Sequence, residues 1–301
     1  MNSSAAAIPE PQARPVLLKA PWVGLLAFVL IWLWKPIAHT TSVLMHQIKD
    51  PAMFASVNLC MGAAGFVLVW RGLKHAELPA TWLGFLGGAL VWIGWFEFSF
   101  EFFARALGVR PVFYPDGTMG LPPSFVFLQA TGFLMLAMFL FFASNKDTGC
   151  RFFQWLHRNF GMRPGDGTPG YKRQFARIAA MELVMTNWFC YIVVLMLLDP
   201  RIAGVNHPLT YVGGAVIASL SVYFVFFKLR EQRAIAPALR YSIGAVAVFW
   251  LLCELAGQWG WYREVWVKPF DYPVTDSLFY LAFIAGVYYT MRNSRHSEVA
   301  S

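Results

Sequence analysis

WVGLLAFVLIWLWKPIAHTTSVL, residues Trp22–Leu44, holds a single charged side chain, Lys35, in twenty-three positions. A helix needs about 20 mostly apolar residues to cross roughly 30 Å of hydrocarbon, so this stretch predicts a transmembrane helix. It cannot be a lone strand, because lipid offers no partners for unpaired backbone groups. Seven further stretches satisfy the same test: Phe54–Trp70, Thr81–Phe103, Ser124–Ala143, Ile178–Leu198, Leu209–Phe227, Tyr241–Gly257 and Ser277–Met291. The expected fold class is therefore all-α, a polytopic membrane protein of eight spans.

Composition agrees. Only 13% of the 301 residues are charged, against 58% hydrophobic and 17% aromatic, with a mean hydropathy of +0.51. Soluble domains carry about twice that charged fraction, and neither a disordered nor a fibrous chain looks like this. The formal charge of +8 does not point to nucleic acid, since basic residues of membrane proteins collect in cytoplasmic loops for topological reasons. Residues 1–21 are polar and run into an apolar stretch too long for a signal-peptide core, so the first span is expected to be retained.

Sorting Lys and Arg by alternate loops puts 17 on one side and 6 on the other, with Lys35 inside the first span. The rich side is read as cytoplasmic, which places both termini inside and the chain in the plasma (inner) membrane. The long inner loop Asn145–Lys172 carries Gly-Asp-Gly-Thr-Pro-Gly at Gly165–Gly170. It lacks the Gly-Lys-Ser/Thr ending of a phosphate loop, so it reads as a topology signal that contacts lipid headgroups.

The chain also carries an internal echo. Pro79, Glu97, Pro111 and Tyr114 correspond to Pro237, Glu254, Pro269 and Tyr272, at offsets of 158, 157, 158 and 158. Helices 1 and 5 add Leu44-Met45 before Asp50-Pro51 against Leu195-Met196 before Asp199-Pro200. The organisation read from this is a tail (1–21), a four-helix module (22–144), a basic loop (145–175), a second four-helix module (176–292) and a tail (293–301). Modules with an even number of spans share one orientation, so they should be parallel repeats about an axis along the membrane normal.

Ionisable side chains in a span cost roughly 2.5–3.5 kcal/mol each on insertion scales and need a partner or a purpose. At 1.5 Å per residue, Lys35, Glu97 and Glu254 each lie roughly 20–24 Å from the inner ends of their spans, in one layer of the outer half of the bilayer. Glu97, Glu101 and Arg105 share one helix face, as do Glu254 and Gln258, and His39 stands one turn above Lys35. Asn187 belongs near mid-depth, whereas Glu182 lies near the inner end. The expected site is an outward-opening chamber. Its chemistry rests on Glu97, Glu254, Glu101, Lys35 and His39. Asn58, Gln129, Gln258, Tyr114, Tyr272 and the indoles Trp92, Trp95 and Trp250 contact the substrate, and Trp259 and Trp261 complete the wall.

A purely structural alternative pairs Lys35 with one glutamate and Arg105 with Glu101, as helix glue. It leaves the second glutamate over. Histidine clusters and Glu-x-x-His are absent, so no metal or other cofactor is expected. Cys60, Cys150, Cys190 and Cys253 form no Cys-x-x-Cys pair and read as packing residues. A carboxyl in an apolar, aromatic-lined chamber can hold and hand over a proton. The function expected is a membrane-embedded enzyme or binding protein performing acid–base chemistry on a lipophilic small molecule, of isomerase, hydratase or cyclase type. The alternatives are a proton-coupled carrier, and a scaffold subunit that assembles with other membrane subunits or with copies of itself.

Overall fold

A computed structural model describes residues 15–148, 153, 157–161 and 165–298. The helices are α1 Trp22–Met45, α2 Pro51–Gly72, α3 Glu77–Ala106, α4 Pro123–Ala130, α5 Gly132–Ala143, α6 Phe175–Leu198, α7 Pro208–Glu231, α8 Ile235–Gln258 and α9 Pro273–Glu298. A short antiparallel hairpin, β1 Val112–Phe113 and β2 Met119–Leu121, lies between α3 and α4. Among the described residues, seven helices are long and apolar enough to cross a membrane, or eight if the bent pair α4–α5 makes one crossing. Arg14, Cys150, Arg151 and Arg163, part of the basic tail and loop, lie outside the described residues.

Helix starts follow local chemistry. Proline opens α2, α7 and α9 at a position where its missing N–H costs nothing. Asp50 caps α2 by accepting the Met53 N–H at 2.7 Å. Pro36 does not break the first span: α1 runs through it without interruption. The span expected at Ser124–Ala143 is instead two helices bent by 45°. Thr131 explains this break, because its hydroxyl donates to Leu128 O at 2.6 Å and accepts the Trp188 indole at 2.8 Å, with Gly132 following.

Helices α1, α3, α6 and α8 form the interior, and α2, α7 and α9 flank them. The contrast is plain in the share of each span buried, 61% for α8 against 17% for α2. Helices α3 and α6 approach each other closely. Gly84 and Gly88 face Ala176 and Ala180, and a Cβ built on Gly84 would collide with Ala176 O. Small residues at i, i+4 on both helices let the backbones meet, which is how helices associate where lipid supplies no hydrophobic drive. In the same way that α3 packs on α6, α8 packs on α1, so segments 22–144 and 176–292 share one interior.

The hairpin marks one end of the bundle. There Tyr114 donates its hydroxyl to Leu198 O at 2.9 Å. Gln129 donates to Leu195 O at 3.0 Å and to Asp199 Oδ2 at 3.1 Å, and Arg201 bridges Asp199 and Gln129. Burial draws the Asp199 carboxyl upward, but the Arg201 hydrogen bonds outweigh it and leave the group below the usual carboxylate range.

Candidate functional site

Four interior helices deliver one polar layer. On α1, Lys35 Nζ donates to Asn187 Oδ1 of α6 at 2.7 Å. One turn on, His39 Nε2 stands 3.3 Å from Glu254 Oε1 of α8, and its ring lies 5.3 Å from that of Trp250. The ion-pair geometry thus belongs to His39 and Glu254, whereas the charge pattern alone pairs Lys35 with a glutamate. Lysine reaches the neutral amide because Asn187 stands at its own depth on the neighbouring helix.

Each glutamate accepts an indole N–H from its own helix. Trp250 Nε1 reaches Glu254 Oε1 at 2.6 Å across four residues of regular helix. Trp92 Nε1 reaches Glu97 Oε1 at 2.7 Å across five residues, which a π turn at Trp92–Glu97 brings together. Such turns are rare and concentrate at functional positions. Trp92 is itself held in a stack between Phe96 and Tyr191.

A cavity of about 140 Å³ opens beside this layer. Lys35, His39 and Ser42 of α1, Asn58 of α2, Glu97 and Glu101 of α3 and Asn187 of α6 supply its polar lining. It extends to Met45, His46, Phe54 and Ser124, the hairpin-end termini of α1, α2 and α4. Glu254 does not line it. That carboxyl sits in an adjoining space of about 10 Å³ with Lys35, Asn187 and Trp250. Neither member of the His39–Glu254 pair is sealed off completely: the His39 and Glu254 side chains keep 24% and 18% of their exposure.

No protein-family model, curated protein or solved structure matches this chain. The site must be read from its own geometry.

Several residues expected in the chamber have other work. Trp95 points away from the cavity, half-exposed, and donates to Leu59 O of α2 at 3.2 Å. Gln129 and Tyr114 belong to the hairpin-end clamp. Trp259 donates to Val205 O and stacks on Tyr211, and Trp261 is 70% exposed beside it. Gln258 is exposed, and Tyr272 precedes α9, where its carbonyl accepts the Asp276 N–H. Glu101 lines the cavity rim and accepts from Arg105 Nε at 2.7 Å. Glu182 lies near the start of α6, away from the hairpin end, with Oε2 buried and unpaired among the described residues.

Conversely, the structure adds Ser42 and Tyr191 to the lining, and brings near the site a loop carrying Glu264. Residues 259–272 fold back over α8: Tyr262 OH donates to Cys253 O at 2.8 Å, and Thr40 Oγ1 donates to Trp266 O at 3.2 Å. The Trp266 ring stands 5.1 Å from that of Trp250. Among the described residues, no three His, Cys, Asp or Glu side chains converge to hold a metal.

Proposed function

We propose that this is a membrane-embedded enzyme, or binding protein, that performs acid–base chemistry on a lipophilic small molecule of a size to enter the cavity. The observation that carries the reading is the His39–Glu254 pair at 3.3 Å beside a cavity that also holds Glu97 and Lys35. A carboxylate that holds one imidazole nitrogen orients the ring and leaves the other nitrogen to exchange a proton with a ligand. Glu97 is the second proton-exchanging group. Lys35 places a positive charge where a substrate oxygen becomes anionic, and indole faces receive positive charge that builds on carbon. Isomerisation, hydration and cyclisation of an alkene, epoxide or carbonyl compound can each draw on members of this set.

The internal echo is part of the proposal. Between Trp92 and Trp250 the offset is 158, and between Glu97 and Glu254 it is 157. One residue inserted in the first copy and absorbed as the π turn accounts for the difference, and it preserves the indole-to-carboxylate bond in both copies. The pairings of α3 with α6 and of α8 with α1 fit a two-fold relation between parallel modules. The loop charge bias then assigns both termini to the cytoplasm and the cavity mouth to the outer side of the plasma membrane.

Deuterium provides the test. Purified protein in lipid discs is incubated in heavy water with lipophilic extract from its source cells, and the extract is analysed by mass spectrometry. Acid–base turnover adds deuterium to a compound only with the wild-type protein; Glu97→Gln and Glu254→Gln should fold but lose this activity. Equal labelling with wild type and both variants removes the enzyme reading and leaves the scaffold. A proton-coupled carrier is the second reading, favoured by the break between α4, which lines the cavity, and α5. It predicts ligand uptake into vesicles driven by a pH gradient, without deuterium on carbon.

A further inference from the structure

Glu264 lies in the 259–272 loop, outside the spans, and its carboxyl rests on the backbone of α8. A Cβ built on Gly257 would come within 2.8 Å of Glu264 Cδ and Oε1, so the glycine leaves the notch that the carboxyl fills. Glu254 is three residues earlier, on the same face of the helix. The loop is tied down on both sides of Glu264, by Tyr262 on Cys253 and by Trp266 on Thr40. Arg263, next in the chain, is exposed.

The main cavity reaches His39 but not Glu254, and a bound ligand would close that route to solvent. The space at Glu254 is about 10 Å³, room for roughly one water at most. A pair that works on an enclosed ligand therefore needs a second route for protons. We propose that Glu264 is the proton port of the His39–Glu254 pair, its carboxyl passing protons between solvent at the hairpin end and the pair beneath it. This rests on the proton-exchanging role argued above for the pair. As the pair gives a proton to the ligand, Glu264 gives its own to the pair and regains one from solvent, while the proton that Glu97 takes from the reacting ligand leaves through the main cavity when the product departs, so uptake and release balance.

Burial, reinforced by the Glu254 carboxylate and opposed by His39, pushes Glu264 up to about 7, which suits a group that takes up and releases a proton near neutral pH. The titratable groups around it are Glu254 and Cys253 of α8, His39 of α1, Tyr191 of α6 and Tyr262 of its own loop.

The test is a pH jump on protein in lipid discs, with Ser42→Phe plugging the main cavity in every sample, the otherwise wild-type protein included, as a bound ligand would plug it; it is followed by time-resolved infrared absorption of the His39 ring, isolated by subtracting the His39→Asn spectrum. Glu264→Gln should slow protonation of His39 at least tenfold while leaving the fold intact by circular dichroism. Gly257→Ala, which fills the notch and displaces the carboxyl, should slow it similarly. Wild-type rates in both variants overturn the port. A wild-type His39 signal that never responds to pH overturns the role of the pair, and the port with it.

Discussion

Glu97 and Glu254 are held alike: each carboxylate accepts an indole N–H from its own helix, Trp92 at 2.7 Å and Trp250 at 2.6 Å. A hydrogen bond to an ionised group contributes about 1.5–3 kcal/mol, and the ring's packing is separable from it. Trp92→Phe and Trp250→Phe keep most of the ring and remove the donor. Each should lower stability by about 1–3 kcal/mol, read from unfolding in mixed micelles. Loss of nothing in either variant would show that the carboxylates do not depend on these donors.

Lys35 and Asn187 should behave as a unit. Lys35→Met strands the Asn187 carbonyl oxygen and removes the cation from a layer that holds two glutamates, so it should destabilise by about 2 kcal/mol or more. Asn187→Ala should cost a comparable amount. The double variant should cost clearly less than the sum, because the 2.7 Å contact can be lost only once. Additive losses would dissociate the two residues.

The α3–α6 contact should tolerate no side chain. Gly84→Leu drives its Cβ into Ala176 O and should abolish the folded protein or lower its melting temperature steeply. Gly244 of α8 is the control, since a Cβ added there would meet nothing within 4 Å. Gly244→Ala should be neutral or stabilise by roughly 0.5–1 kcal/mol through helix propensity. Similar melting temperatures for Gly84→Leu and wild type would contradict the packing.

Two carboxyls at the hairpin end should tilt stability against pH in opposite directions. Glu264 is raised to about 7 in the folded protein, so the folded state binds the extra proton. Its contribution falls as pH rises from the ordinary carboxylate value of about 4.3 toward 7, and is level above that. Asp199 is lowered, so its contribution is complete above about 3.9 and is lost as pH falls through the lower folded value. In thermal unfolding from pH 3 to 8, Glu264→Gln should flatten the upper limb and Asp199→Asn the lower one. Unchanged limbs would refute the corresponding assignment.

Apolar length and spacing belong to the sequence itself, because an intramembrane helix satisfies its own backbone and needs no partner to be recognised. That is why the spans at Trp22–Leu44 and Ile178–Leu198 could be read directly as α1 and α6. Lys35, His39, Glu97 and Glu254 were equally legible as a layer, since a charge in an apolar run marks itself and a fixed rise per residue gives its depth. Depth along a helix is not direction around it, however. Trp95 and Trp92 are three residues apart, yet the π turn leaves one on Glu97 and the other against α2. Thr131 broke a span that hydropathy reads as continuous, since its hydroxyl found partners on its own carbonyl and on Trp188 of another helix. Partner choice was also tertiary: Lys35 took Asn187 and His39 took Glu254 because helix packing, not charge, decides which side chains come within 3 Å or so. Glu264 was invisible for the same reason. A glutamate in a polar loop is ordinary in a sequence, and only the folding of that loop onto Gly257 brings it over the site.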